Sequence, residues 1–160
     1  MADTKNTGSR IVAGEQLKDI FGVTPTQLQA IAAVGYNLLQ SGKLKEAETV
    51  FRGLIATDDK SYYGYAGLGA VALSKKPPDL TGAHENLTKA ATLNPNDATV
   101  QANLGEALLR QAKFEEAAQV LKKAIELDPQ QKDPGANRAR ALVSGLTTVI
   151  TEVKRMHKAA

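Results

Sequence analysis

Val34-Gly35, Leu68-Gly69 and Leu104-Gly105 stand 34 and then 36 residues apart. A fixed spacing in this range marks a chain built from copies of one supersecondary unit, each too small to bury its own apolar face. Other positions repeat in step. An alanine follows each dipeptide, at Ala47, Ala83 and Ala117. A large apolar residue comes four positions later, at Phe51, Leu87 and Leu121. A turn closes each copy, at Asp59, Pro95 and Pro129. The four-residue step is helical, and the glycine or alanine lets a second helix approach closely. The units read as antiparallel helix pairs over residues 28–61, 62–97 and 98–131. Hydrophobic residues make up 42% of the chain, but aromatics only 4%, with no Trp. That balance suits helices packed through small residues.

Helix punctuation agrees with the spacing. "QSGK" stops a first helix, and "NPND" and "DPQQ" stop unit ends. In the middle unit "SKKPPD" adds two residues, and Pro77 and Pro78 forbid a continuous helix there. Upstream, "SRIVAGEQLKDIFG" places Ala13, Leu17, Ile20 and Phe21 on one helical face. In "TPTQ", Thr24 is the N-cap, Pro25 lies in the first turn and Gln27 completes a capping box. Downstream, Ala139, Leu142, Val143, Leu146, Val149, Ile150 and Val153 form an apolar stripe, read as a helix covering the open end of the stack. The expected organisation is a tail and amphipathic helix over 1–24, the repeats over 25–131, and a capping helix with a basic tail over 132–160.

Few kinds of chemistry fit these residues. Cysteine is absent, and His84 and His157 have no ligand-spaced partners, so neither a metal site nor a cofactor is expected. No nucleophile arrangement and no phosphate-binding loop are present, so no catalytic residue is nominated and the chain is read as a non-enzyme. The paired Glu115 and Glu116 belong to an exposed helix start, where they favour the helix dipole. The start "MADTKNTGSR" is polar, and no run nears the ~20 apolar residues of a bilayer span. A soluble cytoplasmic protein is expected, without membrane contact. The net charge is +3, with six basic residues against two acidic ones from Lys132 onward.

The pattern resembles the tetratricopeptide repeat, W-x2-L-G-x2-Y…A-x3-F…P over about 34 residues. The resemblance implies an all-α superhelix with a groove lined by the first helix of each pair. In the first unit Gln29, Ala32, Tyr36, Leu39 and Gln40 would face it. In the second, Tyr63, Ala66, Gly67, Ala70 and Leu73 would do so. In the third, Thr99, Ala102, Asn103, Glu106 and Leu109 would. Tyr65 takes the repeat's aromatic position and is expected in the core. A small, apolar groove with aromatic edges suits an extended or helical peptide of another protein. It lacks the Lys and Arg that phosphates need, so nucleic acid is not an expected partner. The positions matching the carboxylate clamp of heat-shock co-chaperones are Ala32, Tyr36, Gly67, Thr99 and Asn103. They hold no cation, and that function is excluded.

The layout also resembles the class II chaperones of bacterial type III secretion. Tyr36, Gly42, Glu46, Ala47 and Phe51 match that family's Y-x5-G-x3-E-A-x3-F opening. The resemblance implies a chaperone that keeps a hydrophobic translocator soluble in the cytoplasm, holding a short proline- and leucine-bearing segment in its groove. It also implies a homodimer through the N-terminal helix, with Ala13, Leu17, Ile20 and Phe21 as the contact, unless that helix packs on its own repeats. The alternative is a general adaptor or scaffold in a pilus, motility or other secretion assembly.

Overall fold

A computed structural model describes residues 10–11 and 15–159. Among these residues it contains eight helices and no strand. They are α1 (Leu17–Phe21), α2 (Pro25–Gln40), α3 (Leu44–Thr57), α4 (Tyr62–Ser74), α5 (Leu80–Leu93), α6 (Ala98–Arg110), α7 (Phe114–Glu126) and α8 (Pro134–Ala159). The fold is all-α, built from helix pairs of tetratricopeptide type. Two compact units divide it, one up to Leu93 and one from Asn94 onward. Among the described residues no helix is long and apolar enough to cross a membrane.

In the first unit, α2 starts on the expected capping box. Gln27 N donates to Thr24 Oγ1 at 3.3 Å, and Thr24 N donates to Gln27 Oε1 at 2.8 Å. Gly42, at φ +74, reverses the chain into α3. The repeat glycines make room for the large residues of the following helix. A Cβ on Gly35 would stand 2.7 Å from the Phe51 ring, and one on Gly69 would stand 2.4 Å from Leu87 Cγ. Phe51 and Leu87 are fully buried as a result. Burying a side chain of this size stabilises by about 1.5–3 kcal/mol. Gly64 lets α4 approach α3, since its Cβ would meet Ile55 Cγ1 at 2.6 Å.

Two expectations need correction here. Tyr65 is half-buried, not core, and the Lys89 ammonium lies 6.0 Å over its ring. The contacts of α4 are made by Gly64 and Gly67 toward α3 and by Gly69 toward Leu87 of α5. The second correction concerns the N-terminal helix. Glu15 and Gln16 are not helical, and Gln16 is extended at φ −72, ψ 144. Leu17, Ile20 and Phe21 therefore share only the five-residue α1, which closes at Gly22 in the left-handed region. Ala13 lies outside the described residues. Leu17 and Ile20 are half-buried, while Phe21 is exposed. Polar bonds hold α1 in place of a long apolar face. Lys18 Nζ pairs with Asp58 Oδ1 at 2.9 Å, and Asp59 N donates to Gln16 Oε1 at 3.2 Å.

In the second unit, α6 is buried at Ala98 and from Val100 to Leu108. Asp97 caps it, accepting from Val100 N at 3.0 Å. Gly105 repeats the packing device, for its Cβ would stand 2.4 Å from Leu121 Cδ2. Helix α8 packs on both α6 and α7. Gly135 sits against the Thr99 backbone, and Ala136 and Ala139 are fully buried. Arg140 Nη2 donates to the Asp128 carbonyl and, at 3.4 Å, to that of Ile125, closing the end of α7. Only the first half of the expected stripe acts as a cap. Leu142 and Val143 pack on the core, and Leu146 is half-buried, but Val149 and Ile150 are exposed.

Candidate peptide-binding surface

The first helices of the two pairs in the first unit, α2 and α4, touch each other and both pack on α3. Helical periodicity places one face of each along the margin of the Phe51 core, on which Tyr36, Leu39 and Tyr63 pack. From α2 this face carries exposed Gln29 and Gln40 and half-buried Tyr36 and Leu39. Tyr36 stands edge-on to Phe51, with centroids 5.1 Å apart, so its ring is braced from beneath. From α4 it carries half-buried Tyr63 and Ala70. The Tyr63 ring leans on that of Tyr62 at 4.1 Å and 32°. None of these side chains is charged, and the rings are held by packing, which lowers the entropy lost on binding.

Other residues assigned to the groove lie inside. Ala32 and Ala66 are buried, and a Cβ on Gly67 would stand 2.1 Å from the Phe51 ring. Leu73 is buried as well. These are corrections. For Ala32, Ala66 and Gly67, helices brought this close leave their small residues at the line of contact, and Leu73 is taken up by the core.

A cleft of about 510 Å³ opens where α2 and α4 begin. Val23, Pro25 and Leu28 give it an apolar wall, and Gln29 and Tyr63 are shared with the face above. Lys18, Lys60, Asp19 and Asp58 supply two charges of each sign. The Asp58 carboxylate, through its hydrogen bond, holds the Lys18 ammonium above its ordinary range against the opposing pull of desolvation. Pro25, Leu28, Lys18 and Lys60 were not foreseen as site residues. They come from a helix start and a turn, which a pattern counted along first helices does not sample.

In the second unit, Thr99 is exposed and Leu109 half-buried, but Ala102 is fully buried among Leu121, Ala124 and Ala139. Asn103 and Glu106 are buried too, and both are engaged. Arg138 Nη1 donates to Asn103 Oδ1 at 2.7 Å, and its Nη2 pairs with Glu106 Oε2. Arg110 Nη2 holds the other Glu106 oxygen at 2.6 Å. Ala102 therefore belongs to the core, and Asn103 and Glu106 to an ion-paired network. Arg138 was missed because it lies past the third unit. A signal existed, for Ala139 stands 34 residues after Gly105, in the place of the repeat glycine.

Among the described residues, no cluster of His, Cys, Asp or Glu could hold a metal. His84 is half-buried on α5. The arrangement offers packing surface and hydrogen bonds.

A family model described as a tetratricopeptide repeat matches residues 79–144. Human tetratricopeptide repeat protein 6 is 28% identical over 148 residues, covering 73% of this chain and 28% of its own length. The chain thus spans little more than a quarter of that relative. The chaperone protein SicA of Salmonella typhimurium is 32% identical over 141 residues, 87% of this chain and 82% of SicA. Among solved structures, a chain of a type III secretion complex from Aeromonas hydrophila superposes with a TM-score of 0.70 at 20% identity, over 92% of this chain and 98% of that one. The Yersinia enterocolitica type III secretion chaperone SycD, in complex with a peptide of the translocator YopD, gives a TM-score of 0.64 at 23% identity, over 82% and 98%. Both likenesses concern the fold. The identity to SicA extends over most of both chains, and this protein belongs to the family of that chaperone, built on tetratricopeptide repeats.

Proposed function

We propose that this protein is a cytoplasmic chaperone that holds an apolar segment of a secreted translocator before export. The segment lies, extended or helical, on the uncharged face of α2 and α4. One observation carries this reading: Tyr36 and Leu39 of α2 and Tyr63 and Ala70 of the adjoining α4 are uncharged and half-buried, with both rings braced by packing. An extended peptide placed there exchanges apolar surface for water without desolvating a charge. SycD, which shares the fold, is known with a translocator peptide, and the SicA kinship puts this chain among chaperones. The same reading makes the chain a binding module without catalysis. It takes 25–131 as the repeats and 132–160 as a closing helix and basic tail.

Co-expression with a candidate translocator, followed by pull-down and titration, tests the assignment. Tyr63→Ala removes a large amphipathic anchor and should weaken binding by about 1–3 kcal/mol, roughly tenfold or more. Circular dichroism of the variant should stay helical. Full binding by Tyr63→Ala would remove this face from the site.

A further inference from the structure

Helices α2, α4 and α6 each open a repeat, and α8 stands where a fourth would open. Three of the four starts are capped by a side chain. Gln27 N donates to Thr24 Oγ1, Val100 N to Asp97 Oδ1 at 3.0 Å and Ala136 N to Asp133 Oδ1 at 2.9 Å. The start of α4 is different. Its N-cap is Ser61, a residue type well suited to capping, yet the hydroxyl makes no cap bond. Gly64 N turns instead to the Ser61 carbonyl, at 3.2 Å. Ser61 is only 5% exposed, and its Oγ has no hydrogen-bond partner among the described residues. A buried hydroxyl in that state is costly and marks the place of a missing partner. Ser61 lines the 510 Å³ cleft where α2 and α4 begin, a volume usual for a ligand site. Lys60 lines it too and is exposed, whereas Lys18 is committed to Asp58 at 2.9 Å. Val23, Pro25 and Leu28 form the apolar wall.

We infer that this cleft binds the free carboxylate end of a partner polypeptide whose last residue is apolar. The carboxylate takes the place that Asp97 and Asp133 fill at their own helix starts. It accepts from the Ser61 hydroxyl and from the first N–H groups of α4, which have no acceptor inside the helix. The positive end of the α4 dipole and the Lys60 ammonium favour its charge. The apolar wall selects what the carboxylate is attached to. In a C-terminal residue the carboxylate and an apolar side chain leave the same Cα. Beside the carboxylate of an internal Asp or Glu stand polar peptide groups, which would be desolvated against Val23, Pro25 and Leu28. A phosphate fits less well, because its extra charge would stand in one cleft with Asp19 and Asp58. A water would satisfy the Ser61 hydroxyl but would use neither the wall nor Lys60. None of the five heat-shock clamp positions lines this cleft. The cleft shares Tyr63 with the face of α2 and α4, but a chain end bound here need not belong to a translocator.

The test is anisotropy titration of the full chain with three fluorescein-labelled peptides. The first is Gly-Ser-Gly-Ala-Leu with a free carboxyl end, the second is the same peptide amidated, and the third is amidated Gly-Ser-Gly-Leu-Glu-Gly. The free acid should bind saturably, and both amides roughly tenfold more weakly or worse. Ser61→Asp supplies the cap carboxylate from within, so it should abolish binding of the free acid while raising the melting temperature. Ser61→Ala and Lys60→Gln should each weaken the free acid several-fold with helicity intact, and they carry the test if Ser61→Asp does not fold. Equal binding of the acid and its amide overturns the proposal, as does full binding by both Ser61→Ala and Lys60→Gln. Binding of the Glu peptide as tight as that of the free acid would assign the cleft to acidic side chains and equally overturn it. So would displacement of the free acid by an equal concentration of inorganic phosphate. No binding of the free acid up to ~1 mM would leave the Ser61 hydroxyl to a water and overturn it as well.

Discussion

Phe51 is where the first unit is most tightly determined. Its ring is closed in by Gly35 of α2 on one side and Gly67 of α4 on the other. Gly67→Ala would put a methyl 2.1 Å from the ring, and the ring belongs to a fully buried side chain with no room to yield. Urea denaturation should show a loss of about 1–3 kcal/mol, the usual cost of overpacking. Gly53→Ala serves as the contrast, because a Cβ there meets nothing within 4 Å. It should stabilise by up to ~1 kcal/mol through helix propensity. Half of this was legible in the sequence. The pairing of Gly35 with Phe51 is written in the repeat spacing. Gly67 was assigned to the groove, because periodicity gives a residue's direction but not the width of a ring in the next helix. Ala112 is a second residue-scale test. It stands at φ +59 in the turn before α7, where the first unit has Gly42 at φ +74. Ala112→Gly should raise the melting temperature, since an L side chain in this region costs roughly 1–2 kcal/mol. An unchanged or lower melting temperature would show that the turn carries no such strain.

At the scale of elements, polar bonds join helices that the apolar pattern had already brought together. Glu48 of α3 accepts from Arg52 at 2.7 Å and pairs with Lys75, just past the end of α4, at 3.2 Å. The hydrogen bond from Arg52, then that from Lys75, hold its carboxyl below the ordinary value of 4.5. A lowered folded value stabilises the native state fully above the unfolded value and loses that contribution as the pH falls through the folded one. Glu48→Gln should therefore cost under about 1 kcal/mol at neutral pH, the range of a surface pair. The difference from the natural chain should shrink below pH ~4.5. A gap that stays constant down to pH ~3 would mean that the pair does not act through ionisation. No repeat consensus could have indicated this link, because Lys75 lies in the segment that lengthens the middle unit. Arg138 and α1 lie outside the three units altogether, though for Arg138 the 34-residue step from Gly105 to Ala139 extends the register to its neighbour. Helix starts such as Thr24 are legible because a cap is local, whereas contacts set by where a loop returns are not. Residues 13–21 illustrate the difference. Their apolar spacing suggested one helix, yet Gln16 is extended and bonded to the turn after α3.

At the scale of the whole molecule, the open question is what covers the first repeat. Ile31 and Val34 of α2 occupy the positions that Tyr65 and Leu68 hold in the next unit, by the 34-residue spacing. Leu68 packs against the Phe51 core, while Val34 is 53% exposed and Ile31 42%. Phe21 is exposed on the same unit. Large aliphatic side chains at repeat contact positions are built for a neighbouring helix. The expected homodimer would supply one. Ile31→Glu together with Val34→Glu places two charges where an apolar contact would form, at positions whose exposure lets the single chain keep its fold. Light scattering should then show a dimeric mass for the natural chain and a monomeric mass for the double variant. Deleting residues 1–22 separates the two ways of covering this face. If the N-terminal segment carries the dimer contact, the deletion also yields a monomer. If the segment only packs on its own chain, the deletion leaves the dimer intact. A natural chain that is monomeric at all concentrations would dismiss both and leave α2 to a partner of another kind.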